Sequence, residues 1–119
     1  MKLTSQLTNF DVLNELSGND TKFLKEMLTT YLEQLPKDLN LIITAHENQN
    51  WKQTGDIAHS MKSSAKFMGV DKMHKNLSNI ENLCKDQSQL NKVENLVSNV
   101  YEMGMTVIIE LKQKLKEIG

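Results

Sequence analysis

The stretch "GNDTKFLKEMLTTYLEQLPKDLNLI", residues 18–42, decides how the chain folds. Its apolar residues Leu24, Leu28, Tyr31, Leu35, Leu39 and Ile42 recur at steps of three and four, the spacing of one helical face. Asp20 or Asn19 precedes the run, and either can cap it by accepting hydrogen bonds from the free N–H groups of the first turn. Pro36 lies inside the run and predicts a kink there, or two helices meeting. "HENQN", residues 46–50, closes the segment.

Working outward, "NFDVLNEL" before it predicts a short first helix ended by "SGND". On the other side Asn50 caps a third helix from Trp51 to Met68, with Gly69 as its terminator because glycine tolerates the left-handed conformation. Asp71 opens a fourth helix with Met73, Leu77, Ile80 and Cys84 on one face. Ser88 opens the last, with Val93, Val97, Val100, Gly104, Ile108, Leu111 and Leu115 inward. Gly104 within that stripe predicts a close helix approach, against a propensity cost of about 1 kcal/mol. Met61, Met68, Met73, Met103 and Met105 read as core residues. There is no period-2 alternation and no internal repeat. Each stripe needs neighbours and the loops are short. The expectation is all-α: an up-down antiparallel four-helix bundle with a short extra N-terminal helix.

The 119 residues fit one domain spanning 1–119, long enough to bury a core. Fourteen basic residues against fifteen acidic ones offer no basic tract for nucleic acid. The longest apolar runs, such as "MTVII", are too short for a membrane span, and no secretion signal is evident. A cytoplasmic protein is the expectation. Cys84 is the single cysteine, so it has no internal disulfide and no companion for a metal; its place in an apolar stripe predicts a buried thiol. His46, His59 and His74 lack the i, i+4 pairing of a metal site, and no metal is expected.

"AHSMKSSAKFMG", residues 58–69, carries the chemistry. At about 100° per residue, Lys52, Gly55, Asp56, Lys62, Ser63 and Lys66 fall within about 60° of His59. Thr54, Ile57, Met61, Ala65 and Met68 fall opposite, so the core takes them and His59 projects outward. Phe67 lies about 80° away, either facing a partner or packing on the fourth helix. A neutral imidazole is a nucleophile near neutral pH. If it takes a phosphoryl group it gains a dianionic head, and Lys62, Lys66 and Lys52 are spaced to approach that head. Gly55 and Ser63 are small flanks that let another protein close over the ring.

The same residues resemble the signature of histidine-containing phosphotransfer domains. Ala58, His59, Met61, Lys62, Ser64, Ala65 and Gly69 match it, while Ser63 stands where glycine is usual. Residues 18–42 resemble that family's second helix, including the proline. "LSNIENL" places Ile80 and Glu81 where a Leu-Glu pair is frequent. The resemblance covers about residues 10–85, the last helix agreeing in pattern alone. It implies a relay rather than an enzyme: His59 accepts a phosphoryl group from a receiver-domain aspartyl phosphate and passes it to another receiver. It implies that Lys62, with Lys66, neutralises the transferred oxygens, and that Lys52, Gly55, Asp56, Ser63, Phe67 and Gly69 face the partner. Response-regulator receiver domains and a hybrid sensor kinase are the implied partners. No cofactor is expected on this chain, which is read as a monomer; magnesium is expected on the receiver. No ATP-binding motif is evident. A binding-only bundle that docks a receiver or a partner helix without transfer is the alternative.

Overall fold

The computed structural model describes residues 6–119. Five α-helices follow one another: α1 (Asp11–Ser17), α2 (Thr21–Glu47), α3 (Trp51–Phe67), α4 (Asp71–Asp86) and α5 (Val93–Ile118). A 3-10 turn at Leu90–Lys92 leads into α5. α3 packs on α4, α4 on α5, α5 on α2 and α2 on α3, a closed ring of four helices with α1 resting on α2. No strand occurs among the described residues.

Local chemistry sets most of the boundaries. The Asp20 carboxylate accepts from the Phe23 N–H, and the Asn50 side chain accepts from the Gln53 N–H, so α2 and α3 both start at side-chain caps. α2 runs unbroken through Pro36. The proline removes one N–H from the ladder, but packing on both sides of it holds a single helix, and two helices meeting is excluded. α3 ends one residue earlier than expected, with Met68 as its cap and Gly69 at φ +69°.

α5 departs from expectation at its start. Gln87 and Gln89 both take positive φ around Ser88, so the chain turns there and the α-helix begins at Val93. Within α5 the buried stripe is Val93, Val97, Val100, Gly104, Val107 and Leu111. After Gly104 the step is three rather than four, so Val107 takes the core position expected for Ile108, which is half-buried on the flank. Leu115 and Tyr31 are likewise half-buried. Met105 is exposed rather than core, one residue round from Gly104, while Met61, Met68 and Met73 are buried as expected and Met103 half-buried. At Gly104 the predicted close approach is present: a Cβ there would lie 2.5 Å from Leu39 Cδ1 of α2.

The segment before α1 is strapped to the bundle. The Glu110 carboxylate accepts from Leu7 N (3.0 Å), Thr8 N (2.8 Å) and Thr8 Oγ1 (2.6 Å). Asn9 N donates to the Met68 carbonyl at 2.9 Å. Lys114 Nζ stands 5.6 Å from the centre of the Phe10 ring.

Candidate functional site

His59 stands midway along α3, and Lys62 follows one turn later on the same side. α3 and α4 form an antiparallel pair turning through Gly69 and Val70. His59 and Glu81 are equally distant from Val70 in sequence, so the hairpin brings them level. The result is a three-residue cluster across the α3–α4 seam. His59 Nδ1 and Glu81 Oε2 are 2.7 Å apart, and Lys62 Nζ is 2.7 Å from Glu81 Oε1. The Glu81 carboxylate therefore spans both α3 side chains, one on each oxygen.

Exposure separates their roles. The His59 side chain is 67% exposed, against 27% for Lys62 and 24% for Glu81. The Lys62 hydrogen bond holds the Glu81 carboxyl below its usual range; partial burial opposes this, and the His59 hydrogen bond adds to the lowering. An ionised carboxylate only accepts. The His59 nitrogen facing it, Nδ1, is therefore a protonated one, and in the neutral ring Nε2 carries the lone pair.

Beside His59 the seam opens into a cleft of about 520 Å³, bordered by Trp51, Lys52, Gly55, Glu81, Cys84 and Lys85 among others. Lys52 is ion-paired with Asp56 at 3.0 Å, both well exposed. Ser63, Lys66 and Phe67 are exposed on α3 beyond His59. Phe67 is 37% exposed at the end of the helix, so part of its ring reaches solvent while the rest is covered.

Two residues expected on the partner face sit elsewhere. Gly55 is buried at the α3–α4 contact, where a Cβ would lie 3.1 Å from Cys84 Cβ. It forms the floor of the cleft rather than an open flank, because the inter-helix seam cuts across the wheel there. Gly69 is half-buried in the turn, with a would-be Cβ running into the backbone of Asn9. Its role is conformational and it is remote from His59. Lys62 is committed to Glu81 rather than standing free, and Lys52 to Asp56.

Glu81 was the residue that reading the sequence left without a role. The signal was available in the equal spacing of His59 and Glu81 about the Val70 turn. Cys84 is buried as expected, and burial pushes its thiol pKa up. His46 meets Trp51 edge-on, 5.7 Å between ring centres. Among the described residues no group of three or more His, Cys, Asp or Glu could hold a metal ion, and no helix is long and apolar enough to cross a membrane.

The family model of the Hpt domain matches residues 26–118. Two solved structures share the fold. One is histidine-containing phosphotransfer protein B (HptB) from Pseudomonas aeruginosa PAO1, with TM-score 0.85 and 18% identity over 96% of this chain and 98% of that one. The other is the HPT domain of a sensor hybrid histidine kinase from Shewanella, with TM-score 0.81 and 20% identity over 94% and 96%. No curated protein matches the chain.

Proposed function

The chain belongs to the Hpt domain family and has a histidine phosphotransfer role in phosphorelay signalling; from that premise we propose that His59 is the residue that takes and returns the phosphoryl group. The observation that carries this is the 2.7 Å contact of its Nδ1 with Glu81 on a side chain otherwise 67% exposed. One nitrogen is tied and protonated, and the other is left as a nucleophile facing solvent.

The step balances without a proton transfer. The Nε2 lone pair attacks the phosphorus of a receiver's aspartyl phosphate in line; the N–P bond forms as the bond from phosphorus to the aspartate oxygen breaks, and the carboxylate departs. The ring keeps its Nδ1 proton and becomes a phosphorylated imidazolium. Glu81, ionised and fixed by Lys62, balances that positive charge, so it is a positioning and electrostatic residue. Lys66, exposed one turn beyond Lys62, meets the phosphoryl oxygens. The reverse attack by a second receiver's aspartate returns the group.

Hpt domains are phosphotransfer carriers that work with receiver domains. In this reading the receiver docks over the outward face of α3 and the cleft beside it, with Lys52, Asp56, Ser63 and Phe67 on the contact surface. Magnesium is supplied by the receiver, and the relay operates in the cytoplasm. The test is His59→Gln, incubated with a phosphorylated receiver. The variant stays helical by circular dichroism and takes no label; label that persists refutes the assignment. On the wild-type chain the label is lost in acid and survives alkali, as for a phosphoramidate, whereas a serine ester behaves the other way round.

A further inference from the structure

Away from the α3–α4 seam, Val12 and Leu16 of α1, Phe23 and Leu41 of α2, and three residues of α5 are exposed large apolar side chains, and those of α5 fall in one line. Tyr101, Met105 and Ile109 follow at four-residue steps and are 37%, 46% and 67% exposed. At about 100° per residue they share a face roughly 120° round from the buried Val100–Gly104–Leu111 stripe. The same face carries Glu94 and Glu102 toward its N-terminal end, and Lys112 and Lys116 toward its C-terminal end, all exposed. None of these four charges has an ion-pair partner among the described residues. The helix dipole favours acid before base. It does not account for an apolar centre between them.

We propose that this stripe is the interface of a two-fold symmetric dimer, in which α5 of one copy packs antiparallel on α5 of a second about Met105. The pattern is self-complementary in that arrangement. Tyr101 and Ile109 are equally distant from Met105, so each tyrosine comes level with the other copy's isoleucine. Glu94 and Lys116 are also equally distant from it, so the acidic end of each helix lies along the basic end of the other. A parallel arrangement would set acid beside acid and base beside base. An isologous two-fold contact needs one patch that complements itself, and charge order and apolar spacing both meet that condition. The patch is narrow, so the dimer is weak, with a dissociation constant on the order of 100 μM. At one end of the face Glu94 and Ser98 border α2 residues Ile43 and His46, and Glu102 borders Lys72 and Lys75 of α4, so the face points outward from the bundle between α2 and α4. α5 is diagonal to α3 in the ring, so both His59 side chains stay open to receivers.

Sedimentation equilibrium of the chain from about 10 μM to about 1 mM tests this. The wild-type mass should climb from 13.6 kDa toward twice that value. Met105→Lys sets two ammonium groups against each other on the two-fold axis and should weaken association at least about tenfold, the loss of one interface anchor. Glu94→Lys with Glu102→Lys, and separately Lys112→Glu with Lys116→Glu, should each stay monomeric alone. Mixed in equal amounts, those two double variants should associate again at least as tightly as wild type. All these positions are exposed, and circular dichroism verifies that each variant is folded. A wild-type mass that stays at one chain throughout overturns the proposal. So does association unaffected by Met105→Lys, which would put the contact elsewhere, or a mixture no heavier than its components.

Discussion

Gly55 of α3 lies against Cys84 of α4 so closely that a Cβ on the glycine would stand 3.1 Å from the cysteine's Cβ and 3.8 Å from the Glu81 carbonyl oxygen. That approach sets how near Glu81 stands to His59, one turn further along the same seam. Alanine at 55 demands a shift of a few tenths of an ångström, which a helix-propensity gain of about 1 kcal/mol offsets. Its thermal midpoint should stay near that of wild type. Leucine at 55 has to push α4 away, at about 1–3 kcal/mol for overpacking. Gly55→Leu should therefore lower the unfolding midpoint and the rate of phosphoryl transfer together. A Gly55→Leu protein with wild-type stability would show that the seam is not close-packed.

Gly18 and Gly69 both take positive φ, +58° and +69°, yet differ in what surrounds them. Around Gly18 a Cβ meets nothing within 4 Å, whereas at Gly69 it runs into the backbone and Cβ of Asn9. Asparagine tolerates the left-handed conformation, so it separates backbone strain from collision. Gly18→Asn should cost less than about 1 kcal/mol in urea denaturation. Gly69→Asn should cost more than about 2 kcal/mol, since the Asn9 strap has to leave the Met68 carbonyl. Equal costs would mean that the turn at Gly69 is not held by its contact with Asn9.

Period and caps made the helices legible. The steps of three and four from Leu24 to Ile42, and the caps Asp20 and Asn50, are local, and the structure keeps them. Less legible was whatever depended on two segments meeting. The choice between Val107 and Ile108 turns on which side α2 and α4 approach α5 from, and a single helix does not encode that. The same holds for Gly55, whose wheel position is outward but whose Cα lies under α4. His59 could be found from its company on one helix. Its partner Glu81 lies on the next, and the grip of Glu110 on Leu7 and Thr8 joins residues about a hundred positions apart.

Acid should expose the Glu81–Lys62 pair. The Glu81 carboxyl titrates below its ordinary value of 4.5, first because Lys62 hydrogen-bonds it. A carboxyl with a depressed folded pKa contributes stability above its unfolded value and loses it as pH falls through the folded one. The comparison is best made in a His59→Gln background, which removes the imidazole's own titration. There the stability difference between Glu81 and Glu81→Gln should be present above pH 4.5 and shrink steadily below it. Urea denaturation at stepped pH measures this. A difference that widens on acidification would mean the pair does not stabilise the fold.

Lys62 has two conceivable duties, and a double-mutant cycle separates them. The motif suggests a cation for the transferred phosphoryl group, but its Nζ sits 2.7 Å from Glu81 Oε1. If Lys62 acts by holding Glu81, its removal matters only while Glu81 is charged. Lys62→Met keeps the aliphatic stem and removes the ammonium. Against wild type it should slow transfer about tenfold, as for loss of one charge-assisted hydrogen bond of about 1.5 kcal/mol. In the Glu81→Gln background the same change should slow it much less, a coupling that marks two residues acting as a unit. Lys66→Met should slow transfer by one factor in both backgrounds, because in the proposed relay it meets the phosphoryl oxygens without passing through Glu81. Two further readouts guard against a merely structural effect. Receiver affinity should hold across the series, and the NMR resonances of the His59 ring should move in Glu81→Gln and stay put in Lys66→Met. If Lys62→Met costs the same factor with and without the Glu81 charge, the lysine works on the phosphoryl group itself.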